Sequence, residues 1–168
     1  MPDSLITPHG GSLMNLVVDA ARAAEIKEVS RDWPSHDLTP RQSCDLELLV
    51  NGGFSPLTGF LGRDEYDRVV SEMRLSDGTL WPIPVTFDLS DEQASKLAPG
   101  STLALRDDEG VMVAVLHVGD MWQPDREEEA RLVYGTTNRE HPGVAALLER
   151  TGAWYIGGTI EALARAMS

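Results

Sequence analysis

The amino-acid sequence predicts an α+β fold, with a mostly antiparallel sheet and flanking helices. Up to residue 73 the apolar residues recur at helical spacing, and from residue 81 onwards they alternate with other residues, which is typical of strands. Regular alternation of strands with long helices is missing, which argues against a doubly wound parallel sheet. The length of 168 residues and the apolar content of 42% fit one domain with a real core.

The first helices are predicted from apolar stripes and capping signals. A stripe over residues 13–24 predicts the first helix. The second has a strong start signal, because Thr39 can cap it, Pro40 suits the first helical position and Gln42 completes a capping box. A third helix is predicted over residues 64–73, with Met73 on its apolar face.

Strand periodicity begins after an Asp-Gly turn. Residues 81–89 alternate and predict a strand, but Pro82 and Pro84 cannot donate ladder hydrogen bonds, so it is an edge strand or starts late. Residues 103–106 and 111–118 flank an acidic turn and predict a hairpin with a longer loop. The second arm is apolar on both faces, which predicts a central, buried strand.

Short elements complete the predicted pattern. Three further helices are opened by capping residues, which are Ser90 with Gln93, Asp125 with Glu128, and Pro142. Residues 154–156 predict a short strand, and residues 162–167 form an alanine-rich, helix-prone tail.

Charge and cysteine content narrow the possible functions. The net charge of −13 repels phosphate backbones and anionic lipids, so nucleic-acid and membrane partners are disfavoured. A single cysteine excludes an intrachain disulfide. The N-terminus has neither a basic region nor a long apolar stretch, and we therefore expect a cytoplasmic protein.

The residues that could carry chemistry do not form a catalytic, cofactor-binding or metal site. The histidines are scattered without metal-ligand spacing; we expect His36 to be solvated and His117 to be a hydrogen-bonded core or edge residue. Cys44 lies inside the second helix, away from basic clusters, and is predicted to be a buried, inert thiol. Residues 10–12 could hold an anion before the first helix, but a turn with an N-cap is favoured.

Several segments, in order from about residue 5 to residue 163, carry a family resemblance. The longest are Leu-Thr-Pro-Arg-Gln-Ser-Cys-Asp-Leu-Glu-Leu at residues 38–48 and Asn-Gly-Gly-Phe-Ser-Pro-Leu-Thr-Gly-Phe at residues 51–60. Shorter ones lie at residues 5–11, 77–85, 140–144 and 155–161. Together they resemble the N-terminal part of the ATP sulfurylases (sulfate adenylyltransferases).

The resemblance implies a PUA-like β pseudo-barrel with flanking helices, with residues 1–168 forming a single N-terminal domain. Members of this family make adenosine 5′-phosphosulfate and pyrophosphate from MgATP and sulfate, with cationic groups around the phosphates. Those groups belong to a Gln-x-Arg-Asn-Pro-x-His-x-x-His motif of the next domain, and that motif does not occur here. The resemblance therefore implies a scaffold and interface domain with no cofactor of its own, and MgATP only for the complete enzyme.

Two interpretations of the function stay open. In the first, the chain contacts the catalytic domain of an ATP sulfurylase or another copy of itself, and it is inactive alone. In the second, it is a stand-alone PUA-like binding or regulatory module, because fold alone does not fix function.

The candidate interface is the loop of residues 51–60, together with part of residues 154–160. The loop residues assigned to it are Asn51, Gly52, Gly53, Phe54, Pro56, Leu57, Gly59 and Phe60. A loop stiffened by proline would present its large apolar side chains in a fixed arrangement, which favours association. The alternative is that these apolar side chains fold back into the core of the domain.

Overall fold

The structure is a computed structural model that describes residues 15–164. Its helices are α1 (Ala20–Val29), α2 (Pro40–Val50), α3 (Arg63–Glu72), α4 (Asp91–Ala94), α5 (Arg126–Tyr134) and α6 (Pro142–Ala145), with a 3-10 turn at Ser30–Asp32 and a π-helical turn at Ala146–Arg150. Its strands are β1 (Ser35–Asp37), β2 (Gly59–Phe60), β3 (Asp88–Leu89), β4 (Thr102–Arg106), β5 (Met112–Trp122) and β6 (Trp154–Ala162).

Six strands form one mixed sheet in the order β1-β4-β5-β6-β2, with β3 paired to β6. Strand β1 runs parallel to β4, whereas β4 is antiparallel to β5 and β3 is antiparallel to β6. The predicted hairpin is β4–β5, in which Leu103 lies opposite Leu116. The α+β class, the mostly antiparallel pairing and the central position of β5 are confirmed.

The chain divides into two compact units, each assembled from separate stretches of sequence. Within the described residues, unit 1 contains the chain up to Gly59, then Thr102–His117 and the chain from Thr159 onwards. Unit 2 contains Phe60–Ser101 and Val118–Gly158. A core cluster of unit 1 consists of Ile26, Val115 and Leu163, and one of unit 2 consists of Ala130, Val144 and Leu147.

Local capping chemistry sets the start of α2, as predicted. The Gln42 N–H donates to Thr39 Oγ1 at 3.2 Å, and the Thr39 N–H donates to Gln42 Oε1 at 3.0 Å. These bonds satisfy amide groups that a helix N-terminus leaves without partners. The face of α2 that is buried carries Leu46, Leu49 and Val50. Helix α4 begins with the same reciprocal bonds between Ser90 and Gln93.

The first helix begins later than predicted, at Ala20 with Asp19 as its cap. The preceding residues form a parallel β-bridge, in which Leu16 O accepts from Ala162 N and Val18 N donates to Ala162 O, both at 2.9 Å. Backbone groups committed to this bridge are not available to a helix. The bridge also places Ala162 in β6, so the helix predicted from that residue is wrong there. Residues 10–12, the possible anion site, lie outside the described residues.

The strand predicted over residues 81–89 starts late, which is one of the two predicted alternatives, and only its end forms β3. Pro82 and Pro84 remove two backbone donors, so no continuous ladder can form. The chain instead makes isolated contacts, with Val85 O accepting from Leu61 N at 3.1 Å and Phe87 O accepting from Ile156 N at 2.8 Å. Most of its apolar side chains still turn inward, namely those of Trp81, Val85, Phe87 and Leu89.

Strand β6 is longer than predicted and passes through Gly157. A Cβ at this position would lie 2.6 Å from both Gly62 Cα and Leu61 O. Glycine therefore permits a close backbone approach here rather than ending the strand.

Candidate functional site

The loop of residues 51–60 folds as a series of tight turns after α2. Gly52 has φ of 86°, in the left-handed region that favours glycine. The Gly53 N–H donates to Asn51 Oδ1 at 2.8 Å, and the Phe54 N–H donates to Leu48 O at 3.0 Å. The loop is also tied to β6, because the Ile160 N–H donates to Thr58 O at 2.9 Å.

Two of the three large apolar side chains of this loop lie in the core. Leu57 is 8% exposed and Phe60 is 3% exposed, with the Phe60 ring 5.0 Å from that of Phe87 between centroids. Phe54 and Pro56 are half-buried, and Gly52 and Gly59 are buried. The part of the loop that a partner could touch is therefore its edge, formed by Asn51, Gly53, Phe54, Pro56 and Thr58.

The second part of the predicted interface, residues 154–160, is largely interior strand. Tyr155, Ile156 and Ile160 are buried. Trp154 is half-buried, and its Nε1–H donates to Asp91 Oδ1 at 2.8 Å. Its indole also lines an apolar groove of about 420 Å³ beside Leu97, Pro99 and Met121.

A second surface, which the sequence reasoning missed, is the segment of residues 73–83, called the 73–83 hairpin below. Arg74 and Leu80 form an antiparallel bridge, and the Trp81 N–H donates to Met73 O at 2.7 Å. Three side chains are exposed, at 50% for Met73, 47% for Leu80 and 53% for Ile83. Met73 was predicted to face inward from α3, but it follows the last helical residue with φ of 56°.

A buried carboxylate lies in unit 2. Glu129 Oε1 accepts from the hydroxyl groups of Tyr66 at 2.5 Å and Tyr155 at 2.8 Å. Burial raises the pKa of the Tyr66 hydroxyl, and the Glu129 charge raises it further. The Trp122 ring packs against both tyrosine rings, at centroid distances of 5.5 and 5.8 Å. The Glu129 carboxylate thereby links α5 to Tyr66 of α3 and to Tyr155 of β6.

A polar cluster in unit 1 joins α1 to strands β5 and β6. Arg22 donates to both oxygens of Glu161 at 2.8 Å, and His117 Nε2 lies 2.6 Å from Glu161 Oε1. The Arg22 hydrogen bonds are the main cause that lowers the pKa of the Glu161 carboxyl to about 2. The prediction that His117 is a hydrogen-bonded residue is confirmed.

Two predictions about single side chains are wrong. His36 is 8% exposed rather than solvated, and its Nε2 lies 2.8 Å from Gln42 Oε1. Its strand alternates so that Ser35 and Asp37 face outward, which turns the histidine inward. Cys44 is exposed rather than buried, because it lies off the face of α2 that carries the apolar residues.

Within residues 15–164, no group of three or more His, Cys, Asp or Glu side chains is arranged to hold a metal ion. None of the helices in that range has the length and apolar character needed to cross a membrane.

The fold and sequence define the class of this protein: the chain matches the PUA-like domain family over residues 6–165 and belongs to it. Among characterised relatives it is similar to the sulfate adenylyltransferase of Kluyveromyces lactis, with 46% identity over 160 residues, which cover 94% of this chain and 32% of that enzyme. The Saccharomyces cerevisiae sulfate adenylyltransferase is 43% identical over 159 residues, which cover 93% of this chain and 31% of that enzyme. The chain therefore spans about a third of the length of these relatives.

The similarity extends to a fused relative and to a solved structure. A probable bifunctional SAT/APS kinase of Sorangium cellulosum is 44% identical over 161 residues, which cover 96% of this chain and 28% of that protein. The structure of a hexameric APS kinase from Thiobacillus denitrificans superposes with a TM-score of 0.71 at 35% identity, covering 94% of this chain and 27% of that one.

Proposed function

We propose that this chain is the N-terminal, non-catalytic domain of a sulfate adenylyltransferase, an enzyme that forms adenosine 5′-phosphosulfate and pyrophosphate from ATP and sulfate. One observation carries the proposal: similarity extends over 94% of this chain but over 32% of the Kluyveromyces lactis enzyme. Most of that enzyme therefore has no counterpart here, and the chemistry is assigned to the uncovered part.

The role proposed for the domain is that of a cytoplasmic scaffold and contact surface. Catalysis on ATP needs positive groups around the phosphates, whereas this chain carries a net charge of −13. MgATP is accordingly assigned to the remainder of the enzyme, and the partner of this domain is protein rather than nucleic acid or membrane. The exposed edge of the 51–60 loop, with Asn51, Gly53 and Phe54, is proposed as one contact with that remainder.

A hybrid enzyme tests this function. The matched 160 residues of the Kluyveromyces lactis enzyme are replaced by this chain, and sulfate-dependent release of pyrophosphate from MgATP is measured. We expect activity from the hybrid and none from this chain alone, with the intact yeast enzyme as the positive control. Turnover by the isolated chain at ordinary enzymatic rates, or a folded hybrid without activity, would contradict the proposal.

A further inference from the structure

Three of the large apolar side chains that the structure leaves exposed belong to one short segment, the 73–83 hairpin. Met73, Leu80 and Ile83 are each about half exposed, at 50%, 47% and 53%. Other exposed large apolar residues, such as Val29 and Leu132, stand in separate elements. Single exposed apolar residues need no explanation, whereas three within one short hairpin make that hairpin a candidate contact surface.

The hairpin is held rigid by bonds of its own backbone. The Leu75 N–H donates to Thr79 O and the Gly78 N–H donates to Leu75 O, both at 2.9 Å. Leu75 and Trp81 are buried and anchor its two arms, at 3% and 6% exposure. A partner that binds here orders little additional chain, and this lowers the cost of association.

The backbone at Met73 has a conformation that residues other than glycine disfavour. Its φ of 56° is in the left-handed region, which costs a side chain other than glycine about 1–2 kcal/mol. This conformation starts the hairpin directly after α3 and leaves the methionine side chain half exposed. Backbone strain of this kind clusters at functional sites, where the surrounding structure compensates for its cost.

The charges around the hairpin indicate what kind of surface it meets. Glu72 and Asp77 are exposed beside the apolar side chains, and Glu72 Oε2 already lies 3.6 Å from the guanidinium of Arg68. The Arg74 guanidinium donates to Gly78 O at 3.1 Å. A second copy of this chain would bring the same net charge of −13, and the two would repel. Pro82 is exposed and cannot donate, so side chains rather than an added strand make the contact. The favoured partner has an apolar centre with a basic rim.

Resting on the proposed function, we infer that the 73–83 hairpin is a docking surface for the remainder of the sulfate adenylyltransferase, the part of the relatives that this chain does not cover. Met73, Leu80 and Ile83 contact an apolar surface of that part, and a basic group at its rim faces Asp77. The hairpin thereby fixes the orientation of the domain against the catalytic part.

The test compares the isolated chain with the hybrid enzyme described above. The double variant Leu80→Ser, Ile83→Ser changes the hairpin, and Val29→Ser, Leu132→Ser removes two equally exposed apolar side chains elsewhere. In the isolated chain we expect both double variants to unfold within about 1 °C of the parent, because neither pair is buried. In the hybrid, we expect calorimetry to resolve a separate transition, at least about 2 °C lower, for the hairpin variant only.

Any of the following results would contradict the inference that the hairpin is a docking surface. If the hairpin variant unfolds in the hybrid at the same temperature as the parent, the inference that the hairpin is a docking surface is wrong. The proposed function is still supported in that case, provided that the parent hybrid is active. Loss of stability in the isolated hairpin variant means that the side chains support the domain itself. A dimer of the isolated chain in sedimentation, abolished by the same substitutions, assigns the surface to a second copy. A parent hybrid that folds but is inactive contradicts both the proposed function and the docking surface.

Discussion

The loop of residues 51–60 and the 73–83 hairpin both carry large apolar side chains on irregular backbone, and they place them differently. In the loop, Leu57 and Phe60 are 8% and 3% exposed, whereas Leu80 and Ile83 of the hairpin are 47% and 53% exposed. These two side chains of the loop therefore lie in the core, whereas those of the hairpin are exposed to solvent.

Backbone pairing explains the difference. The loop ends in β2, and Thr58 O accepts from the Ile160 amide, so its apolar groups are held against interior strand. The hairpin pairs with itself, through Met73 with Trp81 and Leu75 with Thr79, and the buried side chains of Leu75 and Trp81 anchor it. The side chains of Met73, Leu80 and Ile83 are about half exposed. Composition alone therefore does not distinguish a surface from a core segment; the partner of each backbone group does.

The largest expected effect is on the buried aromatic of the loop. Phe60→Ala should lower the free energy of unfolding of the isolated chain by about 3–5 kcal/mol, because it leaves a cavity beside Phe87. Ile83→Ala is the matched change in the hairpin and should alter it by less than about 0.5 kcal/mol. Urea unfolding measures both, and similar losses at the two positions would break the comparison.

Glycines in the two segments allow a second test. Gly52 in the loop has φ of 86° and Gly78 in the hairpin has φ of 91°, so alanine at either should cost about 1–2 kcal/mol in the isolated chain. Calorimetry of the hybrid enzyme should show that Gly78→Ala weakens the coupling of the domain to the rest of the enzyme more than Gly52→Ala does. A larger loss of coupling for Gly52→Ala would assign the main contact to the loop.

Acid should affect the end of β6 that holds the loop more than it affects the hairpin, where hydrogen bonds from Thr79 lower the pKa of the fully exposed Asp77 carboxyl. The folded-state pKa of Glu161 is lowered to about 2, so its stabilisation is present above the ordinary carboxyl pKa and is lost as the pH falls towards 2. Between pH 7 and pH 3, the parent should lose about 1 kcal/mol more than Glu161→Gln.

Hydrogen exchange locates that change. Protection of the Ile160 amide, which donates to Thr58 O, should fall with acid in the parent by more than protection of the Trp81 amide does. Equal loss at both amides would show that the two segments open together.

The smallest effect is expected at Met73. Met73→Gly relieves a left-handed conformation but adds freedom to the unfolded chain, and the isolated chain should gain about 0.5 kcal/mol. In the hybrid the same change removes an apolar contact and should weaken docking. Opposite signs in the two proteins support the surface assigned to the hairpin; a gain in both would argue that Met73 makes no contact.

The sequence predicted features that local chemistry decides. The reciprocal bonds of Thr39 with Gln42 and the inward face of α2 were predicted, because caps and helical stripes depend on neighbours in sequence. Features decided by distant partners were not. The bridge of Val17 with Ala162 displaced the start of α1, and the inward turn of His36 depends on β4, far along the chain.

The candidate interface shows the same limit. Periodicity indicates direction only within regular elements, and residues 51–60 and 73–83 are mostly irregular. The prolines at residues 82 and 84 were correctly expected to delay a strand, but their consequence, an exposed Ile83, needed the paired arm of the hairpin to become visible.

The course of strand β6 has a consequence for synthesis on the ribosome. Residues 154–158 belong to unit 2 and the following residues to unit 1, so both units need this last strand. Val17, near the start of the described chain, also finds its partner only when Ala162 has been made. At about 5–20 residues per second, synthesis needs roughly two to eight seconds to pass from the end of β5 to the end of its neighbour β6. Chaperones that act on nascent chains should therefore bind this protein late in its synthesis, and a nascent chain arrested before residue 154 should contain neither unit in complete form.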